Sequence, residues 1–128
     1  MGPSLFTIGF LVWTGLVFAS DVVKEASQPD VKKGESIYQA HCVECHGPSG
    51  RGDGPRAALL APRPGNLISA ATSTKTDQEL LAIIEHGVPR TAMHGWETTL
   101  SESDRKDVLA FIRSLVHFQE PALTPPPP

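Results

Sequence analysis

The chain has 128 residues, room for one domain, and its make-up of 40% apolar and 20% charged residues is ordinary for a globular protein. The formal charge is only -3, the pI is near 5.9, and no run of Lys or Arg forms a basic footprint, so nucleic acid is not an expected partner.

The chain opens on a segment unlike the rest: Leu5 to Ala19 is almost wholly apolar, and residues 1–20 hold no Lys, Arg, Asp or Glu. It is shorter than the roughly 20 apolar residues usual for crossing a bilayer. Residues 1–20 therefore read as a signal peptide or a short membrane anchor. Val17-Phe18-Ala19 offers a cleavage site near Ala19 or Ser20, whereas the lack of a cationic start favours a leader kept as an anchor over residues 4–19. A lipoprotein anchor needs a cysteine just after the leader, and the first cysteine is Cys42. The expected location is periplasmic or exported. Beyond residue 20 the only aromatic residues are Tyr38, Trp96, Phe111 and Phe118. So thin a core gains much from a large bound apolar group.

Residues 21–29 read as a flexible lead-in, and a single domain is expected over 30–118. Asp30 is placed to cap a first helix that starts at Val31, carries Ile37 and Ala40 on one face, and runs into Cys42. Cys42-Val-Glu-Cys45-His46 follows, the CxxCH pattern of c-type haem attachment. Each thiol adds across one haem vinyl group, two intervening residues let one turn of chain reach both vinyls, and the next histidine lies beneath the iron. A disulfide or a thioredoxin-like pair leaves His46 unexplained, and a thioredoxin-like pair also needs a strand before it. Structural zinc needs four ligands and would have to recruit scattered histidines.

From Gly47 to Lys75 the chain is dense in Gly and Pro, as in Gly50-Arg-Gly-Asp-Gly-Pro55 and Ala61-Pro-Arg-Pro-Gly65. This predicts loop, with one helical turn at Arg56 to Leu60. A loop this long belongs in a small domain when it wraps a ligand. Thr76-Asp-Gln-Glu79 has capping-box form, and Leu80, Leu81, Ile83 and Ile84 with a stop at Gly87 predict a second helix over 77–86. A loop spans Val88 to Thr99. Ser101-Glu-Ser-Asp104 again has capping-box form, and the spacing of Val108, Leu109, Phe111, Ile112, Leu115 and Val116 predicts a third helix over 102–117. Residues 119–128 form a Pro-rich tail ending in four prolines, which favour an extended polyproline segment. No strand pair is expected, so the fold class is all-α.

Opposite His46 the iron needs a second ligand or none. The methionines are Met1 and Met93, so a mature chain without its leader offers only Met93, in a loop where irregular backbone can bring sulfur to iron. The alternatives are His94, His86, His41 or an open site, with His94 the main competitor. His86 and His117 are already accounted for by the dipoles of the helix ends they occupy. Arg56, Arg63 and Trp96 are candidate hydrogen-bond donors to the haem propionates, since a buried carboxylate needs a partner. Each is equally open to a plainer reading, as exposed charge or core aromatic.

Between Val31 and Val116 the chain resembles the class I cytochrome c family, in particular its small monohaem bacterial members. The resemblance rests on Gly34 and Tyr38 in the first helix, Cys42 to Gly47, Gly50 to Pro55, Met93-His-Gly-Trp96 and the amphipathic last helix. His94 departs from it, because proline often follows that methionine. The resemblance implies a cytochrome c fold of three main helices and loops around one haem, attached through Cys42 and Cys45 and ligated by His46 and Met93. It implies that the first and last helices cross at Gly34 with Phe111 covering the glycine, and that a proline carbonyl, of Pro55 or Pro62, orients His46. Two protein ligands leave the iron one-electron exchange, so the chain reads as an electron-transfer protein and not an enzyme. Three roles stay open: a periplasmic carrier between respiratory or dehydrogenase partners, a fixed haem subunit of a larger membrane or periplasmic redox complex, and an enzyme or gas sensor with an open sixth site. No paired catalytic carboxylates support the third.

Overall fold

The computed structural model describes residues 28–117, together with Gly2. The leader, most of the lead-in, Phe118 and the Pro-rich tail lie outside the described residues. All regular elements among those described are helical: α1 (Val31–His41), α2 (Val43–His46), α3 (Ala70–Ser73), α4 (Asp77–His86) and α5 (Glu102–His117), with a 3-10 turn at Ala57–Leu59. The one β feature among them is an isolated antiparallel bridge between Gly87 and His94.

The three long helices start where their capping side chains predict. The Asp30 carboxylate accepts hydrogen bonds from the amides of Lys32 and Lys33 at 2.9 and 3.0 Å, which satisfies two open donors of α1. At α4 the Thr76 hydroxyl accepts from the Glu79 amide while the Glu79 carboxylate accepts from the Thr76 amide, at 3.2 and 2.7 Å. Ser101 and Asp104 make the same reciprocal pair at the start of α5, both bonds 3.1 Å. Gly87, with φ of 74°, ends α4 as expected. The first helix stops at His41, and the CxxCH motif makes its own turn, α2. Neither α2 nor α3 is expected from the sequence, because four residues are too few to show a helical period.

α1 and α5 form the framework. α1 buries Gly34 and Tyr38, four residues apart on one face, against Val108, Leu109, Phe111, Ile112 and Leu115 of α5. Ile37 packs against this cluster, whereas Ala40, expected on the same face as Ile37, is exposed at the rim of the cavity described below. Leu80 and Ile84 of α4 complete the core. Each such side chain contributes roughly 1.5–3 kcal/mol by leaving water. At Gly34 the helices touch backbone to backbone, since a Cβ there would collide with the carbonyl of Asp107 and lie 3.0 Å from the Val108 amide nitrogen. The nearest atoms at Gly34 are thus α5 backbone, while Phe111 packs its ring on that of Tyr38, with centroids 5.2 Å apart and planes at 55°. Phe111 lies one turn beyond Asp107, level with Tyr38, which lies one turn beyond Gly34. Tyr38 is fully buried and its hydroxyl donates to the Gly47 carbonyl at 2.6 Å, so α1 also holds the turn after α2.

Charged groups secure the edges. Lys33 bridges to Asp104 at 2.6 Å and to the buried Asp107 at 3.3 Å, while Asp107 also accepts from the Asp30 amide at 2.8 Å. Arg113 of α5 donates to Asp77 through two nitrogens, at 2.9 and 2.8 Å, and to the Lys75 carbonyl at 2.6 Å, which fixes the start of α4.

Two outcomes are expected. Gly34→Ala forces the helices apart and should lower stability by about 1–3 kcal/mol, measured by denaturant unfolding. The Lys33 ammonium, followed by the Ser101 hydroxyl and amide, holds the Asp104 carboxyl down at about 2 against an ordinary 3.8. A depressed carboxylate stabilises the fold above its unfolded value and loses that contribution as pH falls through its folded value. The stability gap between wild type and Asp104→Asn should therefore be constant above about pH 5 and should shrink towards pH 2.

Candidate functional site

A cavity of about 610 Å³ opens between the α1–α2 junction, the 60–65 loop, α4 and the loop carrying Met93, with α5 as its floor. Leu80, Ile83, Ile84, Leu100, Val108, Leu109 and Ile112 line it, so most of its surface is hydrocarbon. That volume lies in the range of cofactor sites, roughly 300–1,000 Å³. Cys42, Cys45, His46, Arg56, Arg63, Met93 and Trp96, the candidate residues read from the sequence, all border this one space. His41 and His94 border it too, but His86 does not; its Nδ1 lies 3.8 Å from the Glu97 carboxylate, with Glu85 beside them.

The α2 turn and the Cys42 that precedes it present both thiols and the imidazole from five consecutive residues. Burial first, then the neighbouring Cys45, pushes the Cys42 thiol up to about 11. A nucleophilic redox pair needs the opposite shift. His46 is half-buried, and its Nδ1 donates to the Gly65 carbonyl at 3.1 Å, an arrangement that leaves the Nε2 lone pair free. Burial lowers the His46 pKa and the Gly65 bond partly opposes this, a shift towards the uncharged ring that metal ligation requires.

The carbonyl that orients His46 thus belongs to Gly65, not to Pro55 or Pro62. The reason is the path of the loop. Gly52, Gly54 and Arg56 donate their amides to the carbonyls of His46, Cys45 and Glu44, at 2.8, 3.2 and 2.9 Å. The stretch that contains Pro55 is therefore hydrogen-bonded to the backbone of α2, away from the imidazole. A Cβ on Gly52, whose φ is 77°, would lie 2.5 Å from the Pro64 carbonyl oxygen and 3.2 Å from that of Gly65, so residues 64–65 rest directly on Gly52. No side-chain signal marks Gly65, because its role is played by a backbone oxygen.

Another part of the cavity wall is the 88–96 loop. The Val88 amide donates to the Met93 carbonyl at 2.8 Å, the Met93 amide to the Thr91 hydroxyl at 3.1 Å, and the Trp96 amide to the Ile84 carbonyl at 2.9 Å. Met93 is half-buried at the cavity, and Trp96 lies between the rings of His41 and His94. Arg56 and Arg63 are exposed at the rim, with Arg56 3.7 Å from Glu44. An apolar-lined cavity bordered by two thiols, an imidazole and a thioether fits a covalently held haem.

Comparison with known proteins agrees. The family model described as cytochrome c oxidase, cbb3-type, subunit III, matches residues 29–112. Over 101 residues the chain is 32% identical to the thiosulfate dehydrogenase of Allochromatium vinosum, a match that covers 73% of this chain and 35% of that protein. The reducing HAO-like protein complex of Kuenenia stuttgartiensis superposes with a TM-score of 0.61 at 27% identity, over 74% of this chain and 48% of the other. The chain thus spans less than half the length of either.

The seat under Gly65 is testable without any cofactor. Gly52→Ala should destabilise the protein by about 1–3 kcal/mol, through the crowded contact and the left-handed backbone. Gly65→Ala adds a methyl with nothing within 4 Å and should stay within about 0.5 kcal/mol of wild type; thermal unfolding of the two variants checks the contrast.

Proposed function

We propose that this chain, a member of the cytochrome c family represented by subunit III of cbb3-type cytochrome c oxidase and the carrier of one covalently attached haem c, holds that haem through Cys42 and Cys45 with His46 and Met93 as ligands and acts as a periplasmic one-electron carrier. The observation that carries this reading is that His46, whose Nδ1 is engaged by Gly65, and Met93 border the same apolar-lined cavity. Bound there, the haem supplies a one-electron couple at its iron, whose potential a Met/His pair raises relative to two histidines. His46 is fixed in orientation through Gly65, while burial lowers its pKa towards the uncharged ring. Met93, as the second ligand, would leave such a group no open position for small molecules, so the residues present would support electron exchange without substrate binding. The floor from α4 and α5 excludes water, which fixes the dielectric around the couple. Arg56, Arg63 and the Trp96 indole are the donors we assign to the propionates, since all three border the cavity and each can donate.

A second reading, a fixed haem subunit of a larger redox complex, is supported by the family description, which names a subunit, and by the greater length of both relatives. No helix among the described residues is long and apolar enough to cross a membrane, so attachment in that case falls to residues 1–20, to the tail or to a docking face.

Absorption spectra of the purified protein in both oxidation states, with and without carbon monoxide, test the ligand set. The ferric form should show the weak red band of methionine sulfur bound to iron, and the reduced form should ignore carbon monoxide. Met93→Ala should lose the band and bind carbon monoxide. Ready binding by the wild type points instead to an enzyme or sensor with an open site, and copurifying proteins would favour the subunit over the carrier.

A further inference from the structure

Trp96 sits between two histidines that belong to different walls of the cavity. Its ring centroid is 5.0 Å from that of His41, with planes at 53°, and 4.3 Å from that of His94, with planes at 44°. Tilted pairs at about this spacing are attractive beyond the area they bury. His41 ends α1 and adjoins Cys42; His94 adjoins Met93. The row of three rings therefore joins the haem-attachment wall to the methionine wall through side chains alone.

The rest of the methionine loop is fastened elsewhere. Its base is clamped to the end of α4, where a Cβ on Gly87 would lie 2.5 Å from the Met93 carbonyl oxygen and 2.6 Å from the Gly95 nitrogen. The Trp96 and Glu97 amides donate to the carbonyls of Ile84 and Glu85, at 2.9 and 3.2 Å. These bonds hold the loop to α4 but do not reach across the cavity. Both imidazoles are exposed, whereas the half-buried indole also packs against the core, so His41 and His94 are the members of the row that can be changed with least effect on the core.

We propose that the His41–Trp96–His94 row is a latch that keeps the Met93 loop shut across the cavity, with Trp96 as a positioning residue and His94 as its outer support rather than a ligand. The proposal rests on Met93 as an iron ligand. When the latch opens, the loop hinges at its base on α4 and the thioether leaves the iron, which gives an added ligand its chance. The latch thus sets how fast the sixth position is exchanged, separately from how stable the fold is.

The test uses the ferric holoprotein and follows loss of the red methionine band after imidazole is added, alongside denaturant unfolding. Trp96→Ala should speed displacement about tenfold, the equivalent of about 1.4 kcal/mol for two lost ring contacts. His41→Ala, an exposed position that leaves Met93 untouched, should speed it about threefold with an unchanged unfolding midpoint. Trp96→Phe should recover most of the wild-type rate. Wild-type displacement rates in His41→Ala and Trp96→Ala would overturn the latch, as would an acceleration matched by an equal loss of global stability. If Trp96→Ala does not fold, His41→Ala and Trp96→Phe decide alone. A wild type with no methionine band at all overturns the ligand reading instead, so the two failures are distinct.

Discussion

The contact between Gly34 and the Asp107–Val108 backbone sets the rest of the molecule. Because nothing separates the two helices there, α1 lies close enough to α5 for Tyr38 to be sealed under Phe111 and for its hydroxyl to reach Gly47. That hydrogen bond places the turn after α2, and with it the two cysteines and His46. From the same crossing, α5 turns Val108, Leu109 and Ile112 towards the space that those residues border. α4 then packs on α5 and, by ending at Gly87, sends the chain into the loop that bears Met93. One absent side chain thus governs both the wall and the floor of the site.

The long helices were legible because their starting signals are chemical and local. A carboxylate or hydroxyl ahead of an apolar period has a fixed reach, and Asp30, Thr76 and Ser101 each use it as their sequence positions require. The CxxCH motif was legible for a similar reason, since its spacing is imposed by the cofactor. What was not legible depends on backbone atoms or on loop path. Gly65 orients His46 with a carbonyl that every residue possesses, and only the folded course of residues 50–56 along α2 shows why Pro55 lies elsewhere. The pairing of Phe111 with Tyr38 was not legible, because the helical period gives a face but not the level at which two helices cross. The role of His94 was equally hidden: an imidazole beside a candidate ligand reads as a rival, and its place against Trp96 appears only in three dimensions.

The pattern of charge supports a division of labour. The ion pairs of Lys33 and Arg113 and the buried Arg105, which donates to the Leu100 carbonyl at 2.6 Å, brace the helices from outside the cavity. Arg56 and Arg63 alone among the arginines border the cavity, at its exposed rim. The floor itself, built from residues such as Leu80, Ile84, Val108, Leu109 and Ile112, adds no charged group to the surroundings of a bound redox group.

The crossing of α1 with α5 also orders events in time. A chain made from its N-terminus presents Cys42, Cys45 and His46 well before Asp107 and Val108 exist, so the cavity has walls before it has a floor. During that interval both thiols are reachable from every side, and once α5 docks on Gly34 they are half-buried, with the Cys42 thiol held protonated. Attachment chemistry that needs open access to the thiols is therefore favoured on the incomplete or loosely folded chain, and α5 acts as the element that ends it.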